Sequence, residues 1–163
     1  MTTYATTIEA IRDRMIALIV AIVPTSFAHD RFRAYLNEGG ADFQKWAEDN
    51  PNGVRRRFQV RDIGDDDPPP VSNMLEEERM VTFRTLIAYP QNARDGKTQA
   101  LARDDSISED QLKLERAIGM YSRENFQPPA DACWISGTAD RIKGNGVDLL
   151  EIHQVMRFVR SYA

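Results

Sequence analysis

Residues 54–90 constrain the chain most, because two strand-like segments there are held apart by a stretch that suits neither helix nor sheet. The first segment reads Val54-Arg55-Arg56-Arg57-Phe58-Gln59-Val60-Arg61, and the second runs from Met80 to Pro90. Val81, Phe83, Ile87 and Tyr89 share parity, so a strand turns them to one face. Val54, Phe58 and Val60 do the same in the first segment, with Arg56 interrupting the row. β-branched and aromatic residues fill both segments, as a half-buried pleated surface favours. A sheet built on these two strands is therefore the starting point for any fold.

Charge in this region is segregated. Arg55, Arg56, Arg57 and Arg61 fall within seven residues. From Asp62 to Glu78 there are seven acids (Asp62, Asp65, Asp66, Asp67, Glu76, Glu77 and Glu78) and no base. Pro68-Pro69-Pro70 keeps the intervening chain extended. The spacing predicts a long acidic loop over about 62–79. Two readings of the charges stand side by side. The arginines guard a solvated strand while the acids form a self-repelling loop. Alternatively the two patches meet across copies, head to tail, and opposed charge sets register and choice of partner. On the second reading the interface residues are Arg55, Arg56, Arg57, Arg61, Asp65, Asp66, Asp67, Glu76, Glu77 and Glu78.

At 163 residues the chain fits a single domain, residues 1–163, with enough burial for a real core. A net charge of −4 argues against a general nucleic-acid binder. The one cysteine, Cys133, excludes an intrachain disulfide and a cysteine-rich zinc site. Met15 to Val23 is unbroken apolar sequence, too short for a helix that crosses a bilayer. Ser26-Phe27-Ala28 resembles a signal-peptide cleavage site, but Glu9 and Asp13 cancel Arg12 and Arg14 and deny the preceding region a positive charge.

In chain order, the periodicity predicts a first helix over about 4–23. Ile8, Ile11, Met15, Leu18, Ile19 and Ile22 form its stripe, Thr6 or Thr7 caps it and Pro24 ends it. Ile16, Val20 and Val23 widen that stripe toward the end, which calls for cover on several sides, from the core or from another subunit. Residues 25–40 read as a short strand or an irregular connection. Asp42 to Asp49 carries one or two helical turns, and Asn50-Pro51-Asn52-Gly53 is a turn. Residues 90–105 read as a second exposed loop. A second amphipathic helix is expected over about 107–123, with Ser106-x-x-Glu109 or Ser108-x-x-Gln111 as capping box. Ala132 to Ile142 and Val147 to Tyr162 read as a closing hairpin around Gly144-Asn145-Gly146, with a helix over 148–162 left open as an alternative. The fold class expected is α/β (α+β): a mixed, mainly antiparallel sheet flanked by the N-terminal helix and the second amphipathic helix.

No motif carries chemistry. His29 and His153 lie far apart, and His153 beside Glu151 falls short of the three or four converging ligands a metal needs. Asp65-Asp66-Asp67 lacks the alternation and glycine of a calcium loop. Neither Gly137 nor Gly144-x-Gly146 makes a phosphate-binding pattern, and no nucleophile, base and orienter stand out. Neither an enzyme nor a cofactor is expected.

The order of elements resembles the tail terminator proteins of long-tailed bacteriophages. The resemblance rests on the Ile8 to Ile22 helix, Arg57-Phe58-Gln59-Val60, Val81-Thr82-Phe83 through Tyr89-Pro90, Leu114 to Tyr121 and the Leu149 to Phe158 strand. Residues 25–53 are longer than that pattern needs. The resemblance implies a homohexameric ring on the head-proximal end of the tail tube, assembled in the bacterial host cytoplasm. That ring stops tube polymerisation and offers its other face to the neck. The implied partners are further copies of the chain, the tail tube protein and a neck or connector protein, with no nucleic acid required and no membrane. A neck or head-tail connector protein is the rival within that class. A small monomeric protein-binding module is the rival outside it.

Overall fold

The computed structural model describes residues 7–35, 42–51, 53–65, 76–91, 97–119, 125–126 and 132–161. Among them the chain forms α1 (Ile8–Val20), β1 (Arg33–Ala34), α2 (Phe43–Asp49), β2 (Arg57–Asp65), β3 (Glu76–Pro90), α3 (Lys97–Ile118), β4 (Ala132–Lys143) and β5 (Val147–Ser161). The five strands make one sheet in the order β1-β2-β3-β5-β4. β1 is parallel to β2, and every other pairing is antiparallel. This is the mixed, mainly antiparallel α+β architecture expected from the sequence.

Strand parity sorts the two faces. Val81, Phe83, Ile87 and Tyr89 of β3 join Phe58 and Val60 of β2 and Leu150, Ile152, Met156 and Phe158 of β5 in the main core, against α1 and α3. Leu86, Ala88, Val147 and Leu149 point the other way and pack with Phe43 and Ala47 of α2 in a second, smaller cluster. Burying each large apolar side chain is worth ~1.5–3 kcal/mol, so the main core supplies most of the driving force. Among the described residues, α2 covers one end of its face. The sheet beyond it carries Arg61, Arg84, Glu151 and His153.

α1 follows its periodicity. Ile11, Met15 and Ile19 are fully buried, and Thr7 caps the start by accepting from the Ala10 backbone N–H at 3.1 Å. The helix ends at Val20, three residues before the expected limit, and leaves Val20 and Val23 exposed. α3 departs more. It begins at Lys97, so the expected loop over 90–105 is partly helix, and the two proposed capping serines lie inside it. Arg141 of β4 holds this polar half by donating to Asp104 Oδ1 and Ser108 Oγ, a tertiary tie that no local pattern encodes. At its other end Gln154 donates to the Ile118 carbonyl at 2.7 Å and Asn125 to the Ala117 carbonyl at 3.2 Å, satisfying acceptors left over in the last turn.

The loop expected over about 62–79 is corrected at both ends. β2 continues through Asp62 to Asp65, and β3 already begins at Glu76. The cause is β5. Its run to Ser161 gives β3 a partner, placing Glu76, Glu77 and Glu78 opposite Ser161, Arg160 and Val159. β5 is a strand throughout, paired on both sides, and the helical alternative over 148–162 falls away. No described helix is long and apolar enough to cross a membrane.

Candidate assembly surface

The arginine cluster begins in a turn. Gly53 takes φ +94° and Arg56 φ +61°, and Arg57 N–H donates to the Val54 carbonyl at 2.9 Å. This turn rotates successive side chains to different destinations. Arg56 goes inward and is fully buried. Its Nε and Nη2 donate to Asp110 Oδ2 and Oδ1 at 2.7 and 3.1 Å. Its remaining N–H groups reach the carbonyls of Ser26, Phe27 and Asp30 at 2.7, 2.9 and 3.1 Å. All five guanidinium donors are thus used inside the chain. Tyr89 Oη donates to the same Asp110 Oδ2 at 2.7 Å. Burial pushes the Tyr89 pKa well above its ordinary value, with the Asp110 charge adding to the effect. Arg56 is accordingly withdrawn from the expected interface set: its position pins the 26–30 segment and α3 to the sheet.

The neighbouring arginines stay nearer the surface. Arg55 lies over the Phe27 ring at 3.8 Å and pairs with Asp30 at 3.3 Å, and partial burial lowers its pKa against the pull of Asp30. Arg57 lies 5.2 Å from the centre of the Trp46 ring. Arg61 is exposed on the open part of the sheet, in register with Arg84 of β3 and, one strand further, His153 of β5. Among the expected acidic partners, Asp65 ends β2 opposite Val81, and Glu76, Glu77 and Glu78 open β3. Asp66 and Asp67 lie outside the described residues.

Among the described residues, the uncovered part of the sheet holds the histidine–carboxylate pair that the sequence singles out. Arg84 Nε donates to Glu151 Oε2 at 2.6 Å, and His153 Nε2 lies 3.4 Å from Glu151 Oε1 without a hydrogen bond. The pair is real but gains no third ligand: among the described residues no three His, Cys, Asp or Glu side chains gather as a metal site. His29 sits in the exposed 26–30 segment.

Exposed apolar side chains among the described residues include Phe27, Ile135 and Leu112, besides Val20 at the end of α1 and Val23 just after it; Lys113 of α3 donates to the Val23 carbonyl at 2.8 Å. Ile63 and Met80 are exposed near the far end of β2 and β3, Ile63 at the bulge between Asp62 and Gly64. Sequence reasoning missed the Arg56–Asp110–Tyr89 cluster. Its signal was there in two interrupted rows, Arg56 between Val54 and Phe58, and Asp110 between Ile107 and Leu114. No family model matches the chain, and no curated protein does.

Proposed function

We propose that this chain is a structural assembly protein of a long-tailed bacteriophage: a tail terminator whose copies form a ring on the head-proximal end of the tail tube. The ring stops tube growth and offers its opposite face to the neck or connector protein. Its action is steric and electrostatic. One face matches the last tube ring, and the other lacks the surface a further tube subunit needs. The role requires no cofactor, metal, nucleic acid or membrane.

The observation that carries this reading is the shape of the sheet. Among the described residues β3 and β5 stay paired through Glu76–Ser161, whereas β2 pairs with β3 as far as Asp65–Val81 and β4 with β5 as far as Ala132–Phe158. The Glu76–Glu78 backbone lies at the end of the two central strands, and three successive acids there suit a contact with a neighbouring subunit or with the tube. The order of elements, from apolar helix through Arg-Phe strand to the closing hairpin, also fits the terminator resemblance.

Antibody raised against the purified chain and visualised with gold on intact virions tests the placement. The proposal expects label at the junction of tail and head. Label along the tube, at the distal tip or on the capsid contradicts it.

A further inference from the structure

Among the described residues the sheet has two edges without a further strand. β1 pairs with Arg57 and Phe58, and Tyr35 follows it beside Gln59, so residues 60–65 of β2 have no described strand on their outer side. β4 pairs with β5 alone, and Ser136, Gly137, Thr138, Asp140 and Arg141 are exposed along it. An uncovered edge presents backbone donors and acceptors that template another strand. On β2 their direction is fixed by β1. Tyr35 N–H donates to the Phe58 carbonyl at 2.7 Å and Arg33 N–H to the Arg56 carbonyl at 3.1 Å. Even-numbered residues therefore turn their backbone polar groups outward, and Val60 and Asp62 continue that row up to the bulge.

Strand direction selects what can bind there. β2, β3, β5 and β4 alternate in direction, so β4 runs opposite to β2. A second copy shifted sideways in the plane of the sheet brings its β2 antiparallel to this β4, with the helices of both copies on the same side. Charge selects the same arrangement. Arg61 and Asp140 share the open face, being in register with Arg84 and Glu151. Asp62 and Arg141 share the helix-covered face, in register with Phe83 and Leu150. With Asp140 opposite Arg61, opposite charges meet on the open face; on the other face Asp62 is paired with Arg12 at 3.7 Å and Arg141 with Asp104 at 3.3 Å within the chain. Pairing β2 with β2 about a two-fold axis at the same position sets Arg61 against Arg61.

We propose that β4 of one copy pairs antiparallel with β2 of the next, from Arg141 opposite Val60 to Ala139 opposite Asp62, joining copies head to tail through one continuous sheet. This rests on the self-association in the proposed function and names its joint. The pairing is short, bounded by β1 at one end and by the Asp62/Gly64 bulge at the other. A contact this small forms at high concentration or on a template. Being heterologous, it closes into a ring when the rotation per copy allows.

Cysteine crosslinking tests it directly. In a Cys133→Ser background, Arg61→Cys and Asp140→Cys are placed in one chain and oxidised, in solution and with tail tubes. Directly opposed residues lie within disulfide reach. The expected result is a ladder of covalent dimers, trimers and higher species, with each single-cysteine variant remaining monomeric. Dimers from Asp140→Cys alone indicate a two-fold β4–β4 contact and overturn the proposal. So does the absence of a ladder under both conditions. Electron microscopy of the same samples separates the two claims. Rings without a ladder reject this joint and leave the terminator reading standing, whereas a ladder without tube binding keeps the joint and removes the terminator reading. As a second measure, Arg61→Asp and Asp140→Arg each weaken association about fivefold, and their combination restores it.

Discussion

Replacing Asp110 with alanine leaves the Arg56 guanidinium in the interior without its counter-charge, and burial of an unpaired charge is among the costliest single changes a domain can suffer. The expected loss is ~3–5 kcal/mol in urea unfolding. Pairing Arg56→Met with Asp110→Leu costs clearly less than the sum of the single changes, because no lone charge remains. The double variant still strands the carbonyls of Ser26, Phe27 and Asp30, so it does not regain full stability. Tyr89 adds a pH dependence whose sign is fixed. Its folded pKa is raised, so the native state holds the phenolic proton after the unfolded chain has lost it. That contribution is fully present below about pH 10, the unfolded value, and is lost as pH rises from there toward the folded value. Melting curves from pH 8 to 11 should decline less steeply for Tyr89→Phe than for the parent chain. The locations of these polar groups were legible as interruptions in apolar rows: Arg56 just before β2, Asp110 in α3, Gln154 in β5. Their partners were not, because which interruption meets which depends on how helices lie across the sheet.

Elements with strong local signals formed as the sequence implies. Phe43–Asp49 of α2 starts where Asp42 accepts from the Gln44 N–H, and the β4–β5 hairpin turns at Gly144–Gly146. Gly146 has φ +80°, which an L side chain adopts only with strain. Gly146→Ala is expected to cost ~1–2 kcal/mol, measured by thermal unfolding, with the strand content by circular dichroism preserved. Thr7→Ala removes the α1 cap and should cost ~1 kcal/mol. Boundaries set by distant partners were not legible. Arg141 of β4 meets Asp104 and Ser108 within α3, and the early start of β3 lies opposite β5, which runs as far as Ser161. In both places a stretch that reads as loop meets an element more than thirty residues later in the chain.

For the molecule as a whole, sheet edges with no further described strand and apolar side chains exposed at and after the end of α1 are the features on which the proposed assembly role rests. Reversing Asp65, Asp66 and Asp67 to lysine is expected to weaken binding to the tube, read by cosedimentation. Unchanged binding removes that stretch from the account. The most direct measurement is tail length by electron microscopy in a particle-producing strain lacking this gene. The account predicts overlong, ragged tubes without heads. Tails of normal length that do not join heads contradict it and assign the chain to the neck, and normal infectious particles contradict the phage-assembly role altogether.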